Sequence, residues 1–322
     1  MKSPIFIFSL PRSGSTLLQR VLMTHPQIAS VAEPWLLLPF LFSTKSSGIA
    51  SLYNHTKSSS GLNSFINNLP NSKQDYITEL RTFIFNLYDK QCKNGELFFL
   101  DKTPRYYLII PEIAELFPNA KFIFLFRNPI HVMSSIMETW SNKSFKRLHE
   151  YAIDLYDGPQ LLSDGYKLLK NKSIALTYES FVENPEASVK RICNYLEIDY
   201  LLDMTTNFES QNTKGKMGDP TGAKKYKKIE KESLRKWENI LNTKFRISVA
   251  KKYINQLENQ TFEIQGYNKE HILNELSQVK TSFQLPIEDM LQYQRTKLIN
   301  RFHLNTWMYS KISNWSKGKL LS

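Results

Sequence analysis

Cysteine is nearly absent: Cys92 and Cys193 are the only two among 322 residues. That excludes a disulfide framework, and the pair reads most simply as free core thiols in a reducing cytoplasm. No apolar run approaches the roughly 18 to 20 residues that a membrane helix needs, which excludes an integral membrane protein. No internal repeat is present, and a fibrous protein is excluded with it. The six histidines show no metal-ligand spacing, so no metal centre is expected. The opening run Ile5-Phe6-Ile7-Phe8 is stopped by Pro11-Arg12. It is too short for the core of a signal peptide and no small-residue cleavage site follows, so the expectation is a cytoplasmic protein.

What is there is a globular composition with a basic excess. Hydrophobic residues make up 41%, enough for a core and too much for a disordered chain. Lysine and arginine total 42 against 30 acids, a formal charge of +12. Such a charge points to an anionic ligand, a nucleic acid or an acidic membrane surface without choosing among them.

The chain opens with a short buried strand over Ile5–Phe8, a turn through Ser9 to Gly14, then Leu17, Leu18, Val21 and Leu22 at helical spacing. Residues 43–74, rich in Ser and Asn, read as a loop-dominated insertion with room for short helices. Ile77, Leu80, Ile84 and Leu87 form one helix stripe. Leu97–Leu100 reads as a strand, and Pro111–Phe117 as a short helix with proline in its first turn. Lys121–Phe126 is nearly unbroken in apolar character, as suits a central parallel strand covered on both faces. A helix is predicted after Arg127-Asn128-Pro129 through Trp140. Another strand is predicted at Ile174–Thr177, and a helix capped by Asn184 through Leu196. Beyond about residue 200 the pattern is helical and basic.

Alternating strands and helices predict an α/β fold: three layers, P-loop-like, with a central parallel sheet flanked by helices and a helical C-terminal extension. The predicted division is residues 1–245 as the α/β domain and 246–322 as the extension, packed on that domain or on a partner. Ligands of such sheets bind beyond the carboxyl ends of the strands, which would line up Arg12 to Thr16, Lys102, Arg127 and Tyr178 along one edge.

A phosphate loop for ATP or GTP reads G-x-x-x-x-G-K-[ST]. Here the stretch is Ser9-Leu10-Pro11-Arg12-Ser13-Gly14-Ser15-Thr16. The last glycine and the threonine are in place; the first glycine and the lysine are both serine. Backbone N–H groups at a helix N-terminus hold phosphate whatever the side chains are. Without the lysine, and with no obvious magnesium ligand except Asp101, the loop suits holding a phosphate better than splitting a triphosphate. The plainer alternative is a serine-rich helix cap.

At this point the residues resemble the sulfotransferases that use 3′-phosphoadenosine-5′-phosphosulfate (PAPS), closest to the bacterial, Golgi-like and tyrosylprotein-like branches. Phe8 to Leu18 resembles that family's 5′-phosphosulfate loop, with Arg12, Ser13, Gly14, Ser15 and Thr16. Arg127-Asn128-Pro129 running to Ser134-Ser135 resembles the stretch whose arginine and serine, here Arg127 and Ser135, grip the 3′-phosphate. Thr177-Tyr178-Glu179 resembles a strand-end motif whose tyrosine sits near the nucleotide. Lys214-Gly215-Lys216 resembles the loop that closes over the 3′-phosphate, giving Lys214 and Gly215. The motifs run in the family's order from residue 8 to about 240. His131 stands where many relatives have aspartate and is expected to alter helix capping.

The resemblance implies PAPS as sulfuryl donor, adenosine 3′,5′-bisphosphate (PAP) as product, and no metal requirement. The donor's separated anionic groups need two sites, which Arg12's loop and Arg127 with Ser135 supply. Glu33, in Ala32-Glu33-Pro34-Trp35 after the first helix, is the expected base for the acceptor proton. The cytosolic branch instead uses a histidine shortly after a lysine, and Asp101-Lys102-Thr103-Pro104-Arg105 has none. Lys102 is the expected cation for the bridging oxygen, and Arg105 a lesser candidate for holding the acceptor or donor. The blander readings are a surface carboxylate and a strand-end surface lysine.

From Lys214 to Lys236 there are nine basic and three acidic residues. The sulfotransferase reading absorbs its start, a solvated charged face its remainder, and nucleic-acid binding is not expected. Residues 290–316 mix apolar and basic residues in a pattern suited to packing on the same domain or a second subunit, or to peripheral membrane contact. The expected partner is a hydroxyl-bearing acceptor of carbohydrate, lipid or small-metabolite type, with an anionic one also accommodated, and the protein is expected as a monomer or homodimer. The rival functions are a P-loop nucleotide kinase or NTPase, which needs a lysine at position 15, and a non-catalytic nucleic-acid-binding protein.

Overall fold

Along the first strand the side chains alternate between two chemistries. Phe6 and Phe8 point to one face, Ile5 and Ile7 to the other, and all four are buried. This period-2 pattern organises the protein, whose computed structural model describes residues 1–211, 228–282 and 286–301.

Strand β1 (Ser3–Ser9) leads to helix α1 (Ser15–Leu22) and strand β2 (Ile28–Ser30). Helices α2 (Leu37–Phe42), α3 (His55–Asn67) and α4 (Lys73–Asp89) precede β3 (Phe98–Asp101). Helix α5 (Ile110–Leu116) precedes β4 (Lys121–Phe126). Helices α6 (Pro129–Trp140) and α7 (Gly158–Leu169) lead to β5 (Ser173–Thr177), and α8 (Tyr178–Glu183) and α9 (Pro185–Leu196) follow. The sheet is parallel throughout, in the order β2-β3-β1-β4-β5. Register pairs such as Phe6↔Asp101, Ser9↔Leu125 and Phe126↔Thr177 bring the carboxyl ends of β1, β3, β4 and β5 to one edge.

The alternation continues on β4, with Phe122 and Phe124 on the face of Phe6 and Phe8, and Ile123 and Leu125 on the other. The phenylalanine rings pack at centroid separations of 5.2 to 6.2 Å, where aromatic pairs add to plain area burial. Tyr253, Ile254, Phe262 and Leu276, from helices between residues 244 and 278, join this aromatic-face core. The aliphatic face is covered by Leu17, Val21, Val189 and Ile192 of α1 and α9.

Several predicted elements fall where expected; β4 matches to the residue, and α6 ends at Trp140 as predicted but already begins at Pro129. Three differences stand out. Within the insertion at 43–74 one helix is longer than expected: α3 has 13 residues, with Asn54 Oδ1 accepting from the Lys57 N–H at 3.0 Å and Ser59 and Ile66 on its buried side. A good cap and a packed face outweigh the poor intrinsic propensity of serine. In α4 the buried stripe ends on Tyr88, not Leu87. Asn184 occupies the cap position of α9 but its side chain makes no capping bond. The basic cluster around Lys224 and the segment 302–322 lie outside the described residues. No helix among the described residues is long and apolar enough to cross a membrane.

Candidate active site

The loop between β1 and α1 turns through two left-handed residues, Arg12 at φ 66° and Gly14 at φ 86°. At Gly14 a Cβ would meet the Tyr178 ring at 2.3 Å, so backbone sign and close approach both demand glycine. Gly14 is the cap residue of α1; no side chain caps this end and its first turn has no acid. The serine-rich-cap reading is therefore wrong for this helix. Its first N–H groups and the positive end of its dipole are left for an anion. Ser13 Oγ is buried with no hydrogen-bond partner among the described residues.

The lysine missing at position 15 is supplied from another strand. Lys102 follows β3, and its Nζ lies 3.3 Å from Thr16 Oγ1 and 2.7 Å from Glu33 Oε1. The Lys102 side chain is 2% exposed and that of Glu33 11%, so neither is a surface group. Sequence reasoning put Glu33 directly after the first helix. The three-residue strand β2, too short to register as a pattern, intervenes and delivers it beside the loop.

Glu33 is held from its other side as well. Trp35 donates its indole N–H to Glu33 Oε2 at 3.2 Å, and its backbone N–H to Thr103 Oγ1 at 3.3 Å. Thr103 in turn donates to Asp101 Oδ1 at 2.8 Å. Asp101 is wholly buried and accepts from the hydroxyls of Tyr88 at 2.6 Å and Tyr106 at 3.0 Å. Burial pushes its carboxyl up to about 6, against the pull of the three hydroxyls and of Lys102. Trp35, at φ 53°, is thus fixed in an unfavourable backbone conformation by the network it serves. The sequence reading assigned no role to Trp35 or Thr103.

A second cluster of cationic side chains adjoins the loop. Arg127, at the end of β4, donates through Nη1 to the Arg12 carbonyl at 2.7 Å and lies over the Tyr178 ring at 4.3 Å. Its Nε is buried without a hydrogen-bond partner among the described residues. Arg12 Nε donates to Ser135 Oγ at 3.3 Å, while Ser134 turns back to the His131 carbonyl. Tyr178 OH pairs with Ser233 Oγ at 2.9 Å. Arg12, Arg127, Ser135, Tyr178, Lys236 and Trp237 are among the residues lining a cavity of about 240 Å³ here. Lys236 and Trp237 come from a part of the chain where the sequence showed only charge.

Two expectations are corrected. His131 does not alter the capping of α6: Asn128 Oδ1 caps it, accepting from the Ile130 N–H at 3.1 Å. Arg105 is committed to the fold. It forks onto Asp154, which is fully buried, at 3.2 and 2.8 Å, and Tyr107 donates to the same carboxylate at 2.6 Å. Arg105 still borders a larger cavity of about 1080 Å³, walled by residues including Ile153, Tyr156, His149 and Tyr293. Lys214 and Gly215 lie outside the described residues.

Clustered cations and an uncapped helix start lie at the carboxyl edge of a parallel sheet, where α/β proteins of this class bind their ligands. Residues 4–201, more than half of the chain, match the family described as "Sulfotransferase family", and the chain belongs to it. Among similar proteins is the nodulation protein NoeE of Sinorhizobium fredii (strain NBRC 101917 / NGR234), 31% identical over 140 residues. That match covers 42% of this chain and 31% of NoeE, so the chain spans about a third of that relative's length. A putative protein-tyrosine sulfotransferase of Caenorhabditis briggsae is 25% identical over 210 residues, covering 64% of this chain and 69% of that one. Among solved structures, the sulfotransferase domain from the curacin biosynthetic pathway is 21% identical, with a TM-score of 0.48, over 74% of this chain and 92% of that chain.

Proposed function

We propose that the protein transfers a sulfuryl group from PAPS to an acceptor hydroxyl, with Glu33 as base and Lys102 as the cation at the reacting centre. The observation that carries this reading is the contact of Lys102 with both Glu33 and Thr16. Base, cation and phosphate loop meet at one point, though they lie 17 to 86 residues apart in the chain. Membership of the sulfotransferase family supports it.

The donor fits the residues present. Ser13 Oγ and Arg127 Nε are buried donors without hydrogen-bond partners among the described residues. Such groups are costly unless a ligand completes them. Arg12, Ser13, Gly14, Ser15 and Thr16 would hold the 5′-phosphosulfate end; Arg127, Ser135 and Tyr178 would hold the 3′-phosphate end, with Lys214 and Gly215 assigned there on resemblance alone. PAPS supplies an activated sulfuryl group and, once that is transferred, leaves as a phosphate.

Glu33 takes the acceptor's hydroxyl proton, and Trp35 keeps the carboxylate aimed while it does so. Protonation of Glu33 removes the negative charge 2.7 Å from Lys102. The ammonium charge then acts undiluted on the phosphate loop, where negative charge builds as the sulfuryl group departs. Base and cation are thereby coupled. Burial of the pair keeps this exchange from being screened by water.

The acceptor is assigned as the hydroxyl of a carbohydrate, lipid or small metabolite. The 1080 Å³ cavity beside Arg105 suits such a molecule: tyrosine faces and Ile153 offer apolar contact, while His149, Glu150, Lys297 and Asn300 offer donors and acceptors.

Calorimetry with adenosine 3′,5′-bisphosphate beside ATP, each with and without magnesium, tests the donor. Magnesium-independent preference for the bisphosphate is the expected result; preference for ATP with magnesium would overturn it. Transfer of ³⁵S-labelled sulfate from PAPS to a panel of hydroxylated acceptors then reads the reaction.

A further inference from the structure

On α6, His131 and Ser135 stand four residues apart and so share one face of the helix. His131 lines the same 240 Å³ cavity as Arg12, Arg127 and Ser135. Its Nδ1 lies 3.0 Å from Glu179 Oε1. Glu179 is fixed in turn by the Tyr267 hydroxyl at 2.6 Å and by the Asn128 N–H at 3.2 Å. Burial opposes ionisation of Glu179, yet the contacts with His131 and Tyr267 and the charge of Arg127 hold its carboxyl below the usual range. An ionised Glu179 accepts the proton on Nδ1, which leaves Nε2 as the ring nitrogen without a hydrogen bond among the described residues. The ring lies against Trp237, centroids 5.8 Å apart and 22° between planes, so its orientation is locked from a second side.

We infer that His131 is a further donor-binding residue: clamped by Glu179, it becomes an imidazolium that gives its Nε2–H to the nucleotide's 3′-phosphate, so that binding takes up a proton. The inference rests on the donor reading above. The proton comes from solvent and lands on Nε2, since Nδ1 already carries one. The surrounding charges explain why uptake accompanies binding. Arg127 from the end of β4, Arg12 from the loop and Lys236 from the helix Lys236–Ile240 oppose another cation. Glu179 from α8, Glu138 from α6 and Glu230 favour it, and Tyr178 and Tyr267 are neutral neighbours. A phosphate dianion entering this balance tips it toward protonation. In the sequence this position only looked like a departure from an aspartate; the structure gives it a partner and a direction.

The test is calorimetry at pH 7.5 in Tris and in HEPES, whose ionisation enthalpies differ, with adenosine 3′,5′-bisphosphate and adenosine 5′-monophosphate as probes. For the bisphosphate, wild-type protein should take up a substantial fraction of a proton. His131→Asn keeps a donor toward Glu179 and cannot take the proton. It should bind the bisphosphate roughly tenfold more weakly, as suits loss of one charge-assisted bond, with the uptake gone and the monophosphate affinity unchanged. Unaltered affinity and uptake in His131→Asn would overturn the inference. So would equal weakening of both nucleotides, which would make His131 a structural residue. If the wild type binds bisphosphate no better than monophosphate, the donor reading falls and this inference with it. Thermal unfolding of the variant confirms that it is folded before it is titrated.

Discussion

Lys102 Nζ lies 2.7 Å from Glu33 Oε1 and 3.3 Å from Thr16 Oγ1, so one buried ammonium joins a carboxylate to the phosphate loop. If these groups act as a unit, their deletions will not add. Glu33→Gln should lower kcat by roughly 10²- to 10⁴-fold, the usual span for loss of a general base, with little change in bisphosphate Kd. Lys102→Met should fall in a similar range, and the double variant should be scarcely worse than either. Independent effects that multiply would separate the two residues.

Arg127→Ala removes the guanidinium that lies over Tyr178 and donates to the Arg12 carbonyl. Bisphosphate binding should weaken tenfold or more, since charge-assisted bonds contribute about 1.5–3 kcal/mol. Arg127→Lys should recover only part of it, because an ammonium cannot reproduce the fork. Equilibrium titration of both variants decides this.

Gly14→Ala places a methyl 2.3 Å from the Tyr178 ring in a left-handed conformation. We expect destabilisation of about 1–3 kcal/mol and weaker nucleotide binding, read by denaturant melts and calorimetry.

Asp101 carries a pH prediction. Its carboxyl is raised from 3.8 to about 6 in the folded protein, so the folded state binds a proton more tightly than the unfolded chain does. Stability from this group is complete below about 4 and is lost as pH rises through about 6, a change on the order of 3 kcal/mol. Asp101→Asn should flatten that part of the stability profile. An unchanged slope between pH 4 and 6 would assign it to other groups.

Much of the site was legible because a parallel sheet translates strand ends into one edge. Once Ile5–Phe8 and Lys121–Phe126 were read as strands of one parallel sheet, Arg12 and Arg127 had to share its carboxyl edge; that the two strands are neighbours came only with the structure. The pairing of Glu33 with Lys102 was not legible, because it depends on β2, whose three residues carry no periodicity of their own. Trp35, Thr103 and Asp101 form a hydrogen-bonded line whose members matter through geometry, and geometry leaves no spacing signature. For Arg105 the sequence hid a structural tie: its carboxylate partner Asp154 lies 49 residues away. The length and place of helix α3 were hidden by serine, which misleads whenever a cap and a packed face override propensity.

The place of β1 in the sheet also bears on how the chain is made. It lies between β3 and β4, and its first partner residues are Phe98 for Ser3 and Lys121 for Ile5. A ribosome adding about 5–20 residues per second needs roughly 5–20 s to reach them. During that time β1, with its four consecutive apolar residues Ile5–Phe8, has both hydrogen-bonding edges open. The strand that anchors the phosphate loop therefore waits with two unpaired edges until both of its neighbours have been made.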